Sequence, residues 1–444
     1  MDLALRRKLY NACRPLEVLS PGDPRYVAVD ELGDPAHRVR GEDWLITLAS
    51  SFELSDEPVR MLFTGLPGSG KSTELRRLAK YLEDPRRANL LPVTITAEDV
   101  FELSNSIDVP DILFAILDGV ERELLSREGK DPKQAMSEGV FRRIWSHLTR
   151  TDVELGKGEL SVPELGKLVI EMKTRPTLRA RVRNAVGNHL TRVLEETTDE
   201  LNAMIGRAKQ LGCAGIVVIF DSLERLRGVS SNWVEVLDSA ERVFAGGAPY
   251  LKLPIHALYT VPTAMVSRRR FEQVRFMPMI KLRDREGREF QPGIDAAAQI
   301  VKHRVPEAAL RELFGEQLDR RMHKLIEWSG GYPRELIRLV QSMIAIKDWP
   351  LSDSDFARIL NEVGDQYRKL IPASAFAWLA QVATDRYFAV ETDEHRSIAD
   401  QMLLNNVVLR YLNDQDWFEL HPAVREIPGI VEAIRARELA RGNV

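Results

Sequence analysis

Nine consecutive residues, Gly65-Leu66-Pro67-Gly68-Ser69-Gly70-Lys71-Ser72-Thr73, have types and spacing that point directly to chemistry. They fit the pattern G-x-x-x-x-G-K-[ST], a loop that cradles polyphosphates. An apolar run from Val59 to Phe63 leads in, and Leu75, Leu78, Ala79 and Leu82 lead out at helical spacing. A strand, a glycine loop and a helix in that order turn backbone N–H groups and a helix N-terminus toward one anion. Gly65 and Gly70 allow backbone angles and a close approach that a Cβ would block, and Pro67 stiffens the turn. Gly68 and Ser69 complete the cradle. Lys71 supplies a mobile positive charge for the β- and γ-phosphates. Ser72 offers a hydroxyl to Mg²⁺, with Thr73 the weaker candidate. The ligand such a loop takes is Mg-ATP or Mg-GTP.

A metal held on a phosphate needs an acidic partner, and Gly215-Ile216-Val217-Val218-Ile219-Phe220-Asp221 supplies one. The unbroken apolar run reads as a buried parallel strand with Asp221 at its carboxyl end, where open α/β sheets bind ligands. Ser222 follows, and Glu224, three positions on, is the nearest carboxylate able to polarise an attacking water. A second reading of Glu224 is a simple ion pair with Arg225.

Four hydrophobic residues, Asp, a small residue, an apolar one and an acid form a pattern that resembles the modified Walker B segment of NACHT and related STAND signalling ATPases. Three other stretches agree. Val39-Arg40-Gly41-Glu42-Asp43 is similar to the segment near the adenine in STAND and origin-recognition ATPases, which places Arg40 near the nucleotide. The strand Ile255 to Pro262 carries Thr260 where these families keep a polar residue that senses the γ-phosphate. Ser329-Gly330-Gly331-Tyr332-Pro333-Arg334-Glu335-Leu336 resembles their lid motif, which implies that Pro333 packs near the base and Arg334 reaches toward the phosphates. The resemblance further implies an arginine finger from Arg268, Arg269 or Arg270, acting on a neighbouring copy. His421, in Leu-His-Pro, resembles the histidine that contacts ADP in STAND proteins but lacks the aspartate that follows it there.

The expected fold class is α/β, a P-loop NTPase parallel sheet core with a large helical insertion, followed by an α-helical lid and a C-terminal winged-helix domain. Residues 1–57 form an N-terminal segment, 58–265 the nucleotide domain with an insertion at about 105–210, 266–350 the lid and 351–444 the winged helix. Within the insertion, helices are expected over Val109–Leu125, Gln134–Leu148 and Thr177–Gln210, with a loop at Val153–Leu160. Alternating apolar residues on either side of Asn413-Asp414-Gln415-Asp416 predict the hairpin of the wing.

The 444 residues carry 62 basic and 66 acidic side chains, so no overall charge announces a nucleic-acid binder. From 351 to 444 the count is ten basic against fifteen acidic residues, which opposes phosphate-backbone binding by the winged helix. Arg175, Arg179, Arg181, Arg183 and Arg192 form a basic side of the insertion, read chiefly as a solvated face. Two cysteines fit a reducing cytosol, and no apolar run is long enough to span a membrane. The expected protein is therefore a cytoplasmic ATPase using ATP and Mg²⁺, a switch acting on a separately encoded effector or sensor, with homo-oligomerisation possible. The implied setting is bacterial antiviral defence or signalling. An origin-recognition-like ATPase that grips DNA through the winged helix is the alternative, with a small-molecule kinase behind it.

Overall fold

A computed structural model describes residues 2–32, 37–131, 165–226, 228, 231–246, 248–267, 274–388, 390, 392–413 and 415–442. The chain divides into two compact units. One comprises residues 1–47, 65–74 and 276–444, the other 48–64 and 75–275.

The second unit is built around a five-stranded sheet. Its strands are β1 (Arg60–Gly65), β2 (Leu90–Thr96), β3 (Gly215–Asp221), β4 (His256–Thr260) and β5 (Val274–Met277), in the order β2-β3-β4-β1-β5. β4 runs parallel to both β1 and β3, with Phe63 opposite Thr260 and Phe220 opposite Tyr259. β2 runs parallel to β3 and sets Thr96 beside Asp221. The carboxyl ends of these four strands therefore share one edge. Ile216 to Phe220 are at most 1% exposed, as the all-apolar run requires of a strand covered on both faces. β5 falls within the stretch that the sequence assigns to the lid.

The helical insertion appears as Val109–Arg127, Leu165–Thr174, Pro176–Asn188 and Leu190–Gln210. The expected single helix over 177–210 is two, broken at His189, whose ψ of 26° departs from helical geometry. The expected helix at Gln134–Leu148 and loop at Val153–Leu160 lie outside the described residues. Asp108 caps the first helix in a capping box with Asp111. Asp111 is also clasped by Arg179, through two 3.1 Å bonds, and by Arg183. Two arginines of the expected basic face thus turn inward and fasten one insertion helix to the start of another.

In the first unit, four helices, Gln291–Lys302, Glu307–Phe314, Leu318–Ser329 and Pro333–Ala345, occupy the stretch 266–350 expected to be the lid. The C-terminal part holds Asp353–Leu370, Phe376–Asp385 and Asp393–Leu404, then the antiparallel hairpin β6 (Val408–Leu412) and β7 (Asp416–Leu420), then Pro428–Gly442. Lid and C-terminal helices share one apolar core, in which Leu325, Leu379 and Leu420 are fully buried. The N-terminal helix Leu3–Ala12 joins this unit, where Arg6 donates to the carbonyls of Ile344 (2.7 Å) and Ala345 (2.5 Å), capping the last lid helix. Among the described residues no helix is long and apolar enough to cross a membrane.

Candidate nucleotide site

β1 ends at Gly65 and the helix Lys71–Glu83 begins six residues later. Gly68 and Gly70 hold φ of +85° and +103°, a region that costs side-chain-bearing residues roughly 1 kcal/mol or more. The amides of Thr73 and Glu74 both bond to the Gly70 carbonyl, at 3.0 and 3.1 Å, so the helix is wound from its first residue. Its leading N–H groups have no acceptor within their own helix and point out of its N-terminus, where a phosphate is favoured. A Cβ on Gly70 would meet nothing nearer than Arg40 Nη1 at 3.9 Å. Ser69 Oγ is buried there without a hydrogen-bond partner among the described residues. The buried Lys71 ammonium lies across the loop and donates to the carbonyls of Gly65 (2.7 Å) and Leu66 (3.2 Å). Ser72 is half-buried beside it, and Thr73 Oγ1 accepts from the Leu19 amide at 3.4 Å. This donor-rich turn fits a polyphosphate.

Charged residues brace the loop from one side. Arg40, 2% exposed, gives two 2.7 Å bonds to Asp30, a 3.0 Å bond to Glu74 and a 3.3 Å contact to Met277 Sδ. Glu74 lies in the first turn of the phosphate-loop helix and also meets the Tyr26 hydroxyl at 3.2 Å. Burial raises the Asp30 carboxyl above its ordinary range, and Arg40 offsets this only in part. Its guanidinium joins two carboxylates, and its Nη1 lies 3.9 Å from where a Cβ on Gly70 would sit, so the residue expected near the nucleotide borders the phosphate loop.

Two parts of the same unit close over the loop. A Cβ on Gly68 would lie 2.5 Å from Tyr332 Cε2 and 2.7 Å from Arg334 Cβ, so both lid residues rest on that glycine. Pro333 occupies the first turn of its helix, where a missing N–H costs nothing, and it directs Arg334 to this face. From the C-terminal part, Asn406 Nδ2 donates to the Pro67 carbonyl at 3.0 Å. Asn406 holds a φ of +54°, a left-handed turn that asparagine tolerates, at the junction of the helix Asp393–Leu404 and β6.

In the other unit, Asp221 and Thr260 stand at the carboxyl edge of the sheet. Asp221 Oδ1 accepts from the Ser222 amide at 2.7 Å, and Ser222 adopts φ +68°, turning the chain sharply after β3. The turn puts Glu224, 5% exposed, in a short 3₁₀ segment. Thr260 is fully buried; its hydroxyl accepts from the Leu223 amide at 2.9 Å and donates to the Phe220 carbonyl at 3.2 Å. Both hydrogen bonds serve the turn that carries Asp221 and Glu224. Thr260, expected to sense the γ-phosphate, thus also positions the turn that carries Asp221 and Glu224.

Arg268, Arg269 and Arg270 lie outside the described residues. His421 is fully buried, accepts from the Ala423 amide at 3.2 Å and stacks on Tyr367 with ring centroids 4.5 Å apart. Burial lowers its pKa to about 3, so it is a neutral structural residue.

Asp30, Glu74, Tyr332 and Asn406 escaped the sequence reading as site residues. Tyr332 stood inside a quoted motif, but the other three are common polar types with no local signature.

No known family model matches the chain, and no curated protein does. Among solved structures the chain is similar to Cdc6p from Pyrobaculum aerophilum, at 11% identity and a TM-score of 0.38, over 96% of this chain and 98% of that one. It is also similar to a chain of Drosophila ORC bound to DNA, at 11% identity and a TM-score of 0.37, over 98% and 93%. A third is the ORC2 protein of Aeropyrum pernix in ADPNP–ADP complexes, at 14% identity and 0.34, over 94% and 99%.

Proposed function

We propose that the chain is an ATPase switch of STAND/AAA+ type, binding Mg-ATP on the loop Gly65–Thr73. The observation that carries this reading is the pair of contacts on that loop: Tyr332 and Arg334 of the lid rest on Gly68, and Asn406 beside the wing holds Pro67. A polyphosphate in the loop would bear on both parts at once. If it binds the two arrangements of lid and wing with different affinity, that difference drives a switch.

Lys71 would neutralise the β- and γ-phosphates, and Ser72 with Asp221 would hold Mg²⁺, which supplies charge stabilisation when bound. Glu224 would orient the attacking water and accept its proton. Arg334 would contact the phosphates from the lid. The resemblance of the Asp221–Glu224 segment to NACHT and STAND proteins supports a role in regulating a separately encoded effector, in bacterial antiviral defence or signalling.

The test is filter binding and turnover with labelled ATP and Mg²⁺. Wild type should bind ATP and release phosphate, and Lys71→Ala should bind none. Equal binding by both proteins would sink the proposal.

A further inference from the structure

We propose that Glu289, His323 and Glu327 form a binding site for a first-row divalent transition metal, Zn²⁺ foremost, separate from the Mg²⁺ of the phosphate loop. His323 Nε2 lies 3.2 Å from Glu289 Oε1, and His323 Nδ1 lies 3.5 Å from Glu327 Oε2. One ligand atom from each residue falls within 4.8 Å of the other two. Donors at about 2.0–2.2 Å from a tetrahedral Zn²⁺ stand about 3.4 Å apart, so small side-chain rotations close the set.

Two elements of one compact unit deliver the ligands. His323 and Glu327 are four residues apart in the helix Leu318–Ser329, hence neighbours on one face. Glu289 comes from the turn 282–290. Amide bonds from Phe290 to the Leu282 carbonyl and from Asp284 to the Arg288 carbonyl, both 2.9 Å, close that turn, and Arg283 and Glu289 face each other across it as a β-bridge. Arg283 fastens the turn to the helix, donating to the Gly287 carbonyl at 3.1 Å and to Glu327 Oε1. Arg386 grips it again through the Asp284 and Arg285 carbonyls. A carboxylate held by such an outer hydrogen bond is oriented as metal ligands are. With Oε1 taken by Arg283, Glu327 keeps Oε2 for the ion.

Charge and donor type select the occupant. Two carboxylates against the one guanidinium leave a single negative charge beside the imidazole. Lys324 does not cancel it, because its ammonium lies over the Trp328 ring, 5.1 Å from the centre. Mg²⁺ and Ca²⁺ take oxygen ligands, whereas imidazole nitrogen suits Zn²⁺, Cu²⁺ and Ni²⁺. Three protein ligands leave a position for water, as in zinc sites that are not purely structural. The competing occupant is a proton, which makes His323 an imidazolium between two carboxylates; a metal ion on that nitrogen releases it.

In the test, Zn²⁺ is titrated into the full-length protein by calorimetry in excess Mg²⁺, and Co²⁺ is followed by the visible absorption that intensifies on tetrahedral binding. One equivalent of Zn²⁺ should bind with a Kd of about 10 µM or tighter. Glu289→Gln and His323→Gln alter side chains that are 49% and 41% exposed, so the fold should survive, as thermal melts would verify. Each should weaken that equivalent about tenfold or more and reduce the Co²⁺ absorption. Lys71→Ala should retain it, which separates this site from the phosphate loop. No uptake of Zn²⁺, uptake that excess Mg²⁺ displaces, uptake lost in Lys71→Ala, or uptake that either ligand substitution leaves unchanged overturns the proposal.

Discussion

Single side chains around the phosphate loop can be tested one at a time. Glu224→Gln keeps the size of the residue and removes its basicity; ATP binding should survive while turnover falls about 10²-fold or more, as general-base losses do. Unchanged phosphate release would remove Glu224 from the chemistry and leave it as a buried structural carboxylate. Gly68→Ala faces two penalties, a φ of +85° and a Cβ 2.5 Å from the Tyr332 ring. It should weaken ATP binding and separate the lid from the loop, and a Tyr332→Ala change on the same chain should recover part of the loss. No recovery would mean that the ring does not bear on the loop. The pattern from Gly65 to Thr73 was legible because each of its requirements is met within nine residues of chain.

At the scale of elements, the N-terminal segment, the first turn of the phosphate-loop helix and Met277, all in the first unit, meet at Arg40. Arg40→Met would leave the buried carboxylates of Asp30 and Glu74 without their cation, which costs on the order of 3–5 kcal/mol. Chemical denaturation should show that loss, and a variant within 1 kcal/mol of wild type would contradict the bracing role assigned here. The triad was illegible in sequence because 10 and 34 residues separate its members and each is an ordinary charged type. β3 and the wing hairpin were readable, since an unbroken apolar run and an alternation around Asn-Asp-Gln-Asp are local signals. β5 was not, being four residues long with only Phe276 and Met277 buried. The helix Asp353–Leu370 did carry a signal that the reading passed over, Ser352 accepting from the Asp355 amide as its N-cap.

For the molecule as a whole, stability should depend on acidity through His421. Its folded pKa of about 3 lies below the ordinary 6.5, so the unfolded chain takes up a proton first as the pH falls. The contribution is intact above pH 6.5 and declines toward pH 3, at about 1.4 kcal/mol per unit. Urea titrations between pH 7.5 and 5 should show this slope, and His421→Gln should flatten it. A slope that persists in the variant would place the titration elsewhere. The acidic excess of residues 351–444 leads to a second expectation, that duplex DNA is not retained in gel shifts at physiological salt; salt-resistant retention would favour the DNA-gripping alternative. The fastening of the first forty residues also bears on how the protein can be dissected. A fragment starting at the helix Trp44–Glu53 would strand Glu74 in an apolar setting without its counter-ion and strip the terminal carbonyls of Ile344 and Ala345 of their donor. Trimming to what looks like a minimal catalytic core should therefore yield insoluble or nucleotide-blind material, even though every residue of the loop itself is retained.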